Sequence, residues 1–157
     1  MFATRPASLT DAALITAHRR AMFLSMPNPN EPVLEEMSRH FEPWVSERLG
    51  DGRYVGWIAE EAGRVAGSAG LIILDWPPHA LHPTADRRAY VLNVYVEPEF
   101  RKRGLAHQLL ERCMAEARRR GIRVVTLHAA EAGRRVYEKF GFRPSNEMMY
   151  IEPEAKS

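Results

Sequence analysis

The sequence contains one cysteine, no long hydrophobic run and almost no net charge. Cys113 stands alone among 157 residues, so the chain can form neither an internal disulfide nor a cysteine-rich zinc site. The longest apolar stretch, residues 65–74, contains two glycines and a serine and is too short to span a bilayer. The first residues lack the apolar core of a signal peptide. We therefore expect one soluble, cytoplasmic domain over residues 1–157.

The small net charge of +2 hides an uneven distribution along the chain. Residues 101–143 hold twelve basic and four acidic side chains, whereas the rest of the chain is net acidic. This split suggests that one face of the protein handles an anion. The arginine run at residues 118–120 would suit nucleic acid, but it lies at a predicted helix C-terminus, where cations favour the helix dipole. No aromatic side chains interleave with it, so we interpret it as a solvated helix end.

The hydrophobic periodicity predicts six strands and four helices. Strands are predicted at residues 2–5, 54–60, 64–74, 90–96 and 124–127 and within 142–151. Helices are predicted from the cap at residues 8–11 to Pro27, from Pro32 to Gly50, over 103–120 and around 136–140. Pro43 is expected to kink or split the second helix. The order β-α-α-β-β-β-α-β-α-β predicts an α+β fold, a mixed sheet flanked by helices.

A short segment between the fourth strand and the third helix has the properties of a phosphate-binding loop. The first N–H groups of a helix have no partner within the helix, and the dipole adds partial positive charge there. Gly104 and Ala106 are small enough for an oxyanion to approach the backbone. Three basic residues precede or flank the glycine: Arg101, Lys102 and Arg103. A solvated basic helix start that binds nothing is the alternative interpretation.

Two motifs resemble those of the GNAT superfamily of acyl-CoA-dependent N-acyltransferases. Arg101-x-x-Gly104-x-Ala106 is similar to that family's Q/R-x-x-G-x-G/A signature, and Tyr137-x-x-x-Gly-Phe142 is similar to a second hallmark. Two motifs in the right order are more specific than either one alone. The resemblance implies a GNAT-type, mostly antiparallel mixed sheet. It also implies acetyl transfer from acetyl-CoA to a primary amine of a small molecule, by direct attack in a ternary complex.

The resemblance also implies where the cofactor would bind. In the family the fourth and fifth strands diverge, and pantetheine amides bond to the fourth strand as an added strand would. Here that strand carries Val94, Tyr95 and Val96, with backbone contacts expected at Val94 and Val96. The pyrophosphate is expected on the backbone amides of Arg101, Lys102, Arg103, Gly104, Leu105 and Ala106.

Tyr137 is the catalytic residue that the resemblance implies, as the general acid that protonates the leaving thiolate. Its alternative role is that of a core aromatic on a short helix. Gly133, four residues earlier, would permit a close approach of the cofactor. Ala130 departs from the family, because an asparagine often stands at that position.

The acceptor site of the family is framed by the first two helices and the loop after the third strand. The residues that this implies here are Met22, Phe23, Met26, Trp44, Asp75, Trp76 and Asn93, with the C-terminal Asn146, Glu147 and Met148. Asp75 and Glu147 are candidates for the general base by location only, so no base is assigned. The apolar members would suit a partly apolar acceptor, and the carboxylates would attract its ammonium group.

The remaining reactive side chains favour no other chemistry. Cys113 is spaced with Leu109 and Ala117 on one helix face, which predicts a buried and inert thiol. The histidines show no metal-ligand spacing, so no metal is expected. The expected partners are acetyl-CoA and a small amine, without nucleic acid or membrane, and a homodimer is left open. Two alternatives remain: a GNAT module that binds acyl-CoA without turnover, and a nucleic-acid-binding module.

Overall fold

A five-stranded sheet with helices on both faces forms the fold of this computed structural model, which describes residues 1–155. The strands are β1 (Ala3–Pro6), β2 (Tyr54–Glu61), β3 (Arg64–Asp75), β4 (Arg87–Val96) and β5 (Val125–Leu127), in that spatial order. The first four pair antiparallel, and β4 pairs parallel with β5. The helices are α1 (Ala12–Leu24), α2 (Glu31–Asp51), α3 (Leu105–Arg119) and α4 (Arg134–Phe140). The predicted α+β class with a mixed, mostly antiparallel sheet is confirmed.

Helix α2 is continuous through Pro43, so the predicted split is wrong. The Asn30 side chain caps its start by accepting a hydrogen bond from the Val33 N–H at 3.3 Å, and Gly52 ends it with φ of +82°. Pro43 lies on the exposed face of the helix. The backbone carbonyl that loses its N–H partner at Pro43 can bond to water on this face, so the helix tolerates the proline. No helix within residues 1–155 has the length and apolar character needed to cross a membrane.

Helix α3 begins at Leu105, two residues later than predicted, because Gly104 adopts a left-handed conformation with φ of +80°. Its inner face buries five side chains: Leu105, Leu109, Leu110, Cys113 and Ala117. Burial raises the pKa of the Cys113 thiol to about 12, so this group is an unreactive core residue, as the sequence predicts.

A tight hairpin turn joins β2 to β3. Ala62 and Gly63 connect the strands, and both have positive φ, of +51° and +76°. Two successive left-handed residues match the twist of the flanking strands.

The predicted last strand within residues 142–151 is absent, so the sheet has five strands rather than six. Residues 141–155 contain neither helix nor strand. Pro144 removes a backbone donor early in this segment, and Ser145 and Asn146 favour a turn. The apolar residues that suggested a strand face solvent instead, with Met148 97% and Ile151 77% exposed.

Two hydrophobic clusters lie on opposite faces of the sheet. One joins α1 and α2 to β2 and includes Ile15, Val45 and Ile58. The other joins α3 to β3 and β4 and includes Leu71 and Leu109. Strand β4 contributes side chains to both clusters.

Candidate active site

Strands β4 and β5 are paired over three residues only and then diverge. The pairs are Ala89 with Val125, Tyr90 with Thr126, and Val91 with Leu127. Strand β4 continues to Val96 without a partner on this side. Backbone N–H and C=O groups are strong hydrogen-bonding groups, so the unpaired side of residues 92–96 is available to an extended ligand. We refer to this gap between β4 and β5 as the cleft.

A β-bulge interrupts β4 at the start of the cleft. The register with β3 shifts between Ser68 and Gly70, and Asn93 has φ of +57°. The buried Asn93 side chain accepts a hydrogen bond from Arg19 Nη1 at 2.7 Å and donates one to the Tyr54 hydroxyl at 3.1 Å. The amide that the sequence assigns to the acceptor is thus already bonded to two protein groups that hold the bulge.

Tyr54 reaches Asn93 only because residue 70 is glycine. A Cβ atom at Gly70 would overlap the Tyr54 hydroxyl and ring. Burial raises the pKa of Tyr54 well above its usual range, so its hydroxyl stays protonated. This contact accounts for a glycine in the middle of a strand, where it otherwise weakens the sheet.

The loop after β4 leads into the first turn of α3 at the edge of the cleft. Lys102 and Gly104 have φ of +60° and +80°, which turns the chain sharply into the helix. The Arg101 N–H donates to the Pro98 carbonyl at 3.3 Å, so the amides open to an anion begin after it. The first N–H groups of α3 have no partner within the helix. These N–H groups at the start of α3 are therefore available to an anion, and the anion site itself stays a prediction.

The side chains of that loop are placed differently from the prediction of a basic cluster. Arg103 donates to both oxygens of Glu61, at 2.9 and 2.7 Å, and turns away from the cleft. These bonds lower the pKa of Glu61 to about 2. Arg101 Nε donates to the Val96 carbonyl at 3.0 Å and thus covers a backbone group expected to meet the cofactor. Lys102 is exposed and forms no ion pair within residues 1–155.

Tyr137 projects from α4 into the cluster on the α3 face of the sheet. Its ring packs edge-on against Phe142, with centroids 6.1 Å apart, and covers Gly133. A Cβ at Gly133 would lie 3.1 Å from a ring carbon of Tyr137, so this glycine makes room for the tyrosine itself. Burial raises the pKa of Tyr137 above its ordinary value of 10.0, which keeps the hydroxyl protonated at neutral pH.

A groove of about 400 Å³ lies on the opposite face of the sheet, between α1, α2 and β4. Its lining residues are Arg19, Met37, His40, Phe41, Trp44, Ile72 and Leu92. Leu92 is the first residue of β4 beyond the last pair with β5, so the groove adjoins the start of the cleft. We call it the α1/α2 groove.

The structure brings few of the predicted acceptor residues together. Of that set, Trp44 alone lines the α1/α2 groove. Trp76 and Glu147 meet elsewhere, at the buried Arg88: its guanidinium lies 4.1 Å from the Trp76 ring centroid and its Nη1 is 3.0 Å from Glu147 Oε1. Asp75 is exposed at the end of β3. Outside the groove lie Met22, Phe23 and Met26, which are half-buried at the end of α1, and Asn146 and Met148, which are exposed in the C-terminal segment.

Sequence reasoning missed a buried polar cluster beside the cleft. His18 Nδ1 is 2.6 Å from Ser68 Oγ, and its Nε2 is 3.2 Å from Glu97 Oε1. Its ring lies against Tyr95, with centroids 4.8 Å apart. Burial lowers the pKa of His18, an effect that Glu97 opposes. The sequence spacing places His18 on the inner side of α1, but it does not reveal the hydrogen-bond partners, because these are distant in sequence.

A second missed pair is Tyr90 and His128, at the paired end of β4 and β5. The Tyr90 hydroxyl is hydrogen-bonded to His128 Nδ1. Burial is the main cause of a raised pKa at Tyr90, and Arg19 opposes it. The sequence places Tyr90 only as a strand residue and gives no signal for its partner.

The arginine run at the end of α3 is bonded to carboxylates. Arg118 pairs with Glu111 at 2.7 Å, while Arg119 and Arg120 pair with Glu116 at 2.6 and 2.8 Å. These contacts fit the interpretation as a solvated helix end. In the part of the chain that the structure describes, no three histidine, cysteine, aspartate or glutamate side chains gather as metal ligands.

Comparison with known proteins identifies the class of this fold and cleft. The sequence model of the acetyltransferase (GNAT) family matches residues 18–142. The chain therefore belongs to the GNAT acetyltransferase family, as the two motifs predict. No curated protein matches the sequence significantly.

Solved structures extend this similarity over nearly the whole chain. A GCN5-related N-acetyltransferase from Ralstonia eutropha JMP134 is 39% identical, with a TM-score of 0.93, over 97% of this chain and 99% of that chain. A predicted acetyltransferase from Clostridium acetobutylicum, solved with acetyl-CoA, is 29% identical, with a TM-score of 0.83, over 97% and 96%. The aminoglycoside N-acetyltransferase AAC(6')-Iy, solved with CoA, shares the fold at 16% identity and a TM-score of 0.73, over 99% and 96%.

Proposed function

We propose that this protein transfers an acetyl group from acetyl-CoA to the primary amine of a small molecule, by direct attack in a ternary complex. The observation that carries the proposal is the unpaired stretch of β4 from Leu92 to Val96, beside the first turn of α3. An extended pantetheine fits the first feature and a pyrophosphate fits the second. The acetyl-CoA-bound relative from Clostridium acetobutylicum supports the same cofactor.

In this proposal the backbone of Val94 and Val96 bonds the pantetheine amides, and the amides of residues 102–106 bond the pyrophosphate. The hydrogen bond from Arg101 to the Val96 carbonyl breaks when the cofactor binds. In the same proposal Gly133 makes room for the Tyr137 ring rather than for the cofactor, and the cofactor approaches the tyrosine hydroxyl.

The proposed reaction uses Tyr137 as the general acid. A neutral amine attacks the thioester carbonyl, a C–N bond forms, and the C–S bond breaks. The thiolate takes a proton from the Tyr137 hydroxyl, and the proton released by the nitrogen restores the phenol. None of the residues that line the α1/α2 groove carries a carboxylate, so we propose that an ammonium substrate first loses its proton to water.

A turnover assay with a panel of primary amines tests the proposal. Acetyl-CoA and each amine are mixed with the protein, and free thiol is followed together with the acetylated product. We expect thiol release that depends on the amine and is strongly reduced in Tyr137→Phe. Thermal stabilisation by CoA without thiol release from any amine would contradict turnover and favour the acyl-CoA-binding module.

A further inference from the structure

Arg19 is a cation without a carboxylate partner in the α1/α2 groove. Its Nη1 donates to Asn93, and its Nε is buried with no hydrogen-bond partner. Burial lowers the pKa of Arg19, and the hydroxyls of Tyr54 and Tyr90 oppose this effect. An arginine nevertheless stays charged in a protein. Within residues 1–155, then, Arg19 keeps donors that the fold does not use.

Other partly buried arginines of this chain are paired. Arg5 meets Asp11 at 2.8 Å, and the more deeply buried Arg88 meets Glu147 at 3.0 Å. Taking a cation out of water is costly unless an anion or further hydrogen bonds replace the lost hydration. Within residues 1–155, this compensation at Arg19 comes only from Asn93 and from the rings of Phe23 and Phe41, whose centroids lie 5.1 and 4.9 Å from its guanidinium carbon.

The rest of the groove is mainly apolar. Apart from Arg19, its lining consists of His40 and five apolar side chains: Met37, Phe41, Trp44, Ile72 and Leu92. Pockets of a few hundred Å³ with apolar walls and few polar groups are typical of small-molecule sites. A ligand that fills this groove must therefore combine an apolar group with an anion for Arg19.

We propose that Arg19 binds the carboxylate of the amine acceptor, so that the acceptor is an amino acid or a related amine with an apolar side group. This inference rests on the proposed acetyltransferase function. Leu92 lies both in the groove and at the start of the cleft, so an amine near the bound carboxylate can face the thioester. A guanidinium fork matches a carboxylate, and no second cationic arginine or lysine lines the groove to favour a doubly charged phosphate.

The test compares acids with their amides. The probes are L-methionine, L-phenylalanine and L-tryptophan, each against its carboxamide, with O-phosphoethanolamine as a phosphate-bearing amine. We expect kcat/KM to be about 10- to 100-fold higher for the acids, which is the value of one hydrogen bond to a charged group. The carboxamides have less basic amines, so a preference for the acids does not arise from amine protonation.

Arg19→Gln is the decisive variant, with Arg20→Gln as its matched control. Arg20 is the next residue of α1, and its nearest carboxylate oxygen, on Glu35, is 4.0 Å away. We expect Arg19→Gln to remove the preference for the acids, and Arg20→Gln to keep it. If Arg19 only braced Asn93, Arg19→Gln would lower kcat/KM for acids and amides by the same factor, and the proposal would be overturned.

Calorimetric titration of each probe into the CoA-saturated protein separates this inference from the proposed function. Tighter binding of an acid than of its amide, lost in Arg19→Gln, supports the carboxylate site even without turnover. Equal affinities, stronger binding of O-phosphoethanolamine, or no binding of any of the three acids would overturn it. Absence of thiol release from every amine would instead overturn the acetyltransferase proposal.

Discussion

The hydroxyl of Tyr54, on β2, accepts a hydrogen bond from the Nδ2 of Asn93 across the neighbouring strand, at 3.1 Å. Both side chains are buried. The bond holds a residue with φ of +57° in place at the point where β4 leaves β5. The opening of the cleft thus depends on a tyrosine that contacts no part of the proposed ligands.

Tyr54→Phe is expected to destabilise the protein by about 1–3 kcal/mol, since it leaves the buried Nδ2 of Asn93 without its acceptor. Urea unfolding measures this change, with Tyr150→Phe as the control because Tyr150 is 80% exposed. The affinity for CoA should fall as well. An unchanged free energy of unfolding would show that the bulge does not need this bond.

Arg101→Met is expected to strengthen the binding of acetyl-pantetheine, which lacks the phosphates of acetyl-CoA. The substitution frees the Val96 carbonyl, which Arg101 now occupies at 3.0 Å. A gain of about 2- to 10-fold corresponds to one neutral hydrogen bond. Lys102→Met is the control, and competition binding supplies the measurement. Equal affinities of wild type and Arg101→Met would mean that Arg101 and the pantetheine do not share this carbonyl.

Tyr137→Phe is expected to lower kcat by about 10²–10⁴-fold, the usual contribution of a general acid, while ring packing is preserved. Because burial raises the pKa of Tyr137 above 10.0, its ionisation should not limit the wild-type rate below that pH. A pH–rate profile and a thermal melt of both proteins measure these effects. An unchanged kcat with an unchanged melting temperature would assign Tyr137 to packing alone.

Acid is expected to destabilise the fold through His18, whose pKa is lowered from 6.5 by burial. In the unfolded chain His18 binds a proton near its ordinary pKa of 6.5, whereas in the folded chain it binds one only at lower pH. The stability contribution is therefore complete above that value and is lost progressively as the pH falls below it. His18→Gln should flatten this part of the profile in urea unfolding, and His40→Gln, at an exposed site, should not. If the free energy of unfolding fell equally with decreasing pH in His18→Gln and in wild type, His18 would not be the source of the acid sensitivity.

Local patterns in the sequence predict most elements of the fold. The alternation in β2 to β4 and the four-residue spacing of α3 depend on neighbouring residues, so they can be recognised without the tertiary structure. The strand predicted at residues 142–151 fails for the opposite reason. Its apolar residues have no surface to pack against, and a strand needs a partner as well as a pattern.

The candidate site is predictable only where one short segment forms it. The loop at residues 101–106 and Tyr137 lie within recognisable motifs. Arg19, His18 and Tyr54 acquire their roles from partners at least 39 residues away, on other elements. Whether the side chains of Arg101 and Arg103 face an anion or a neighbouring acceptor is likewise decided by tertiary contacts, which composition does not reveal.

The α1/α2 groove and the cleft are formed by different parts of the sequence. Five of the seven residues that line the α1/α2 groove come from one stretch: Arg19, Met37, His40, Phe41 and Trp44. The elements that enclose the cleft, β4, α3, β5 and α4, come from a later stretch. Substitutions in the early stretch can remodel the groove while the cleft stays intact. Exchange of residues 12–51 with those of a homologue would therefore change most of the groove lining and leave the elements around the cleft unchanged.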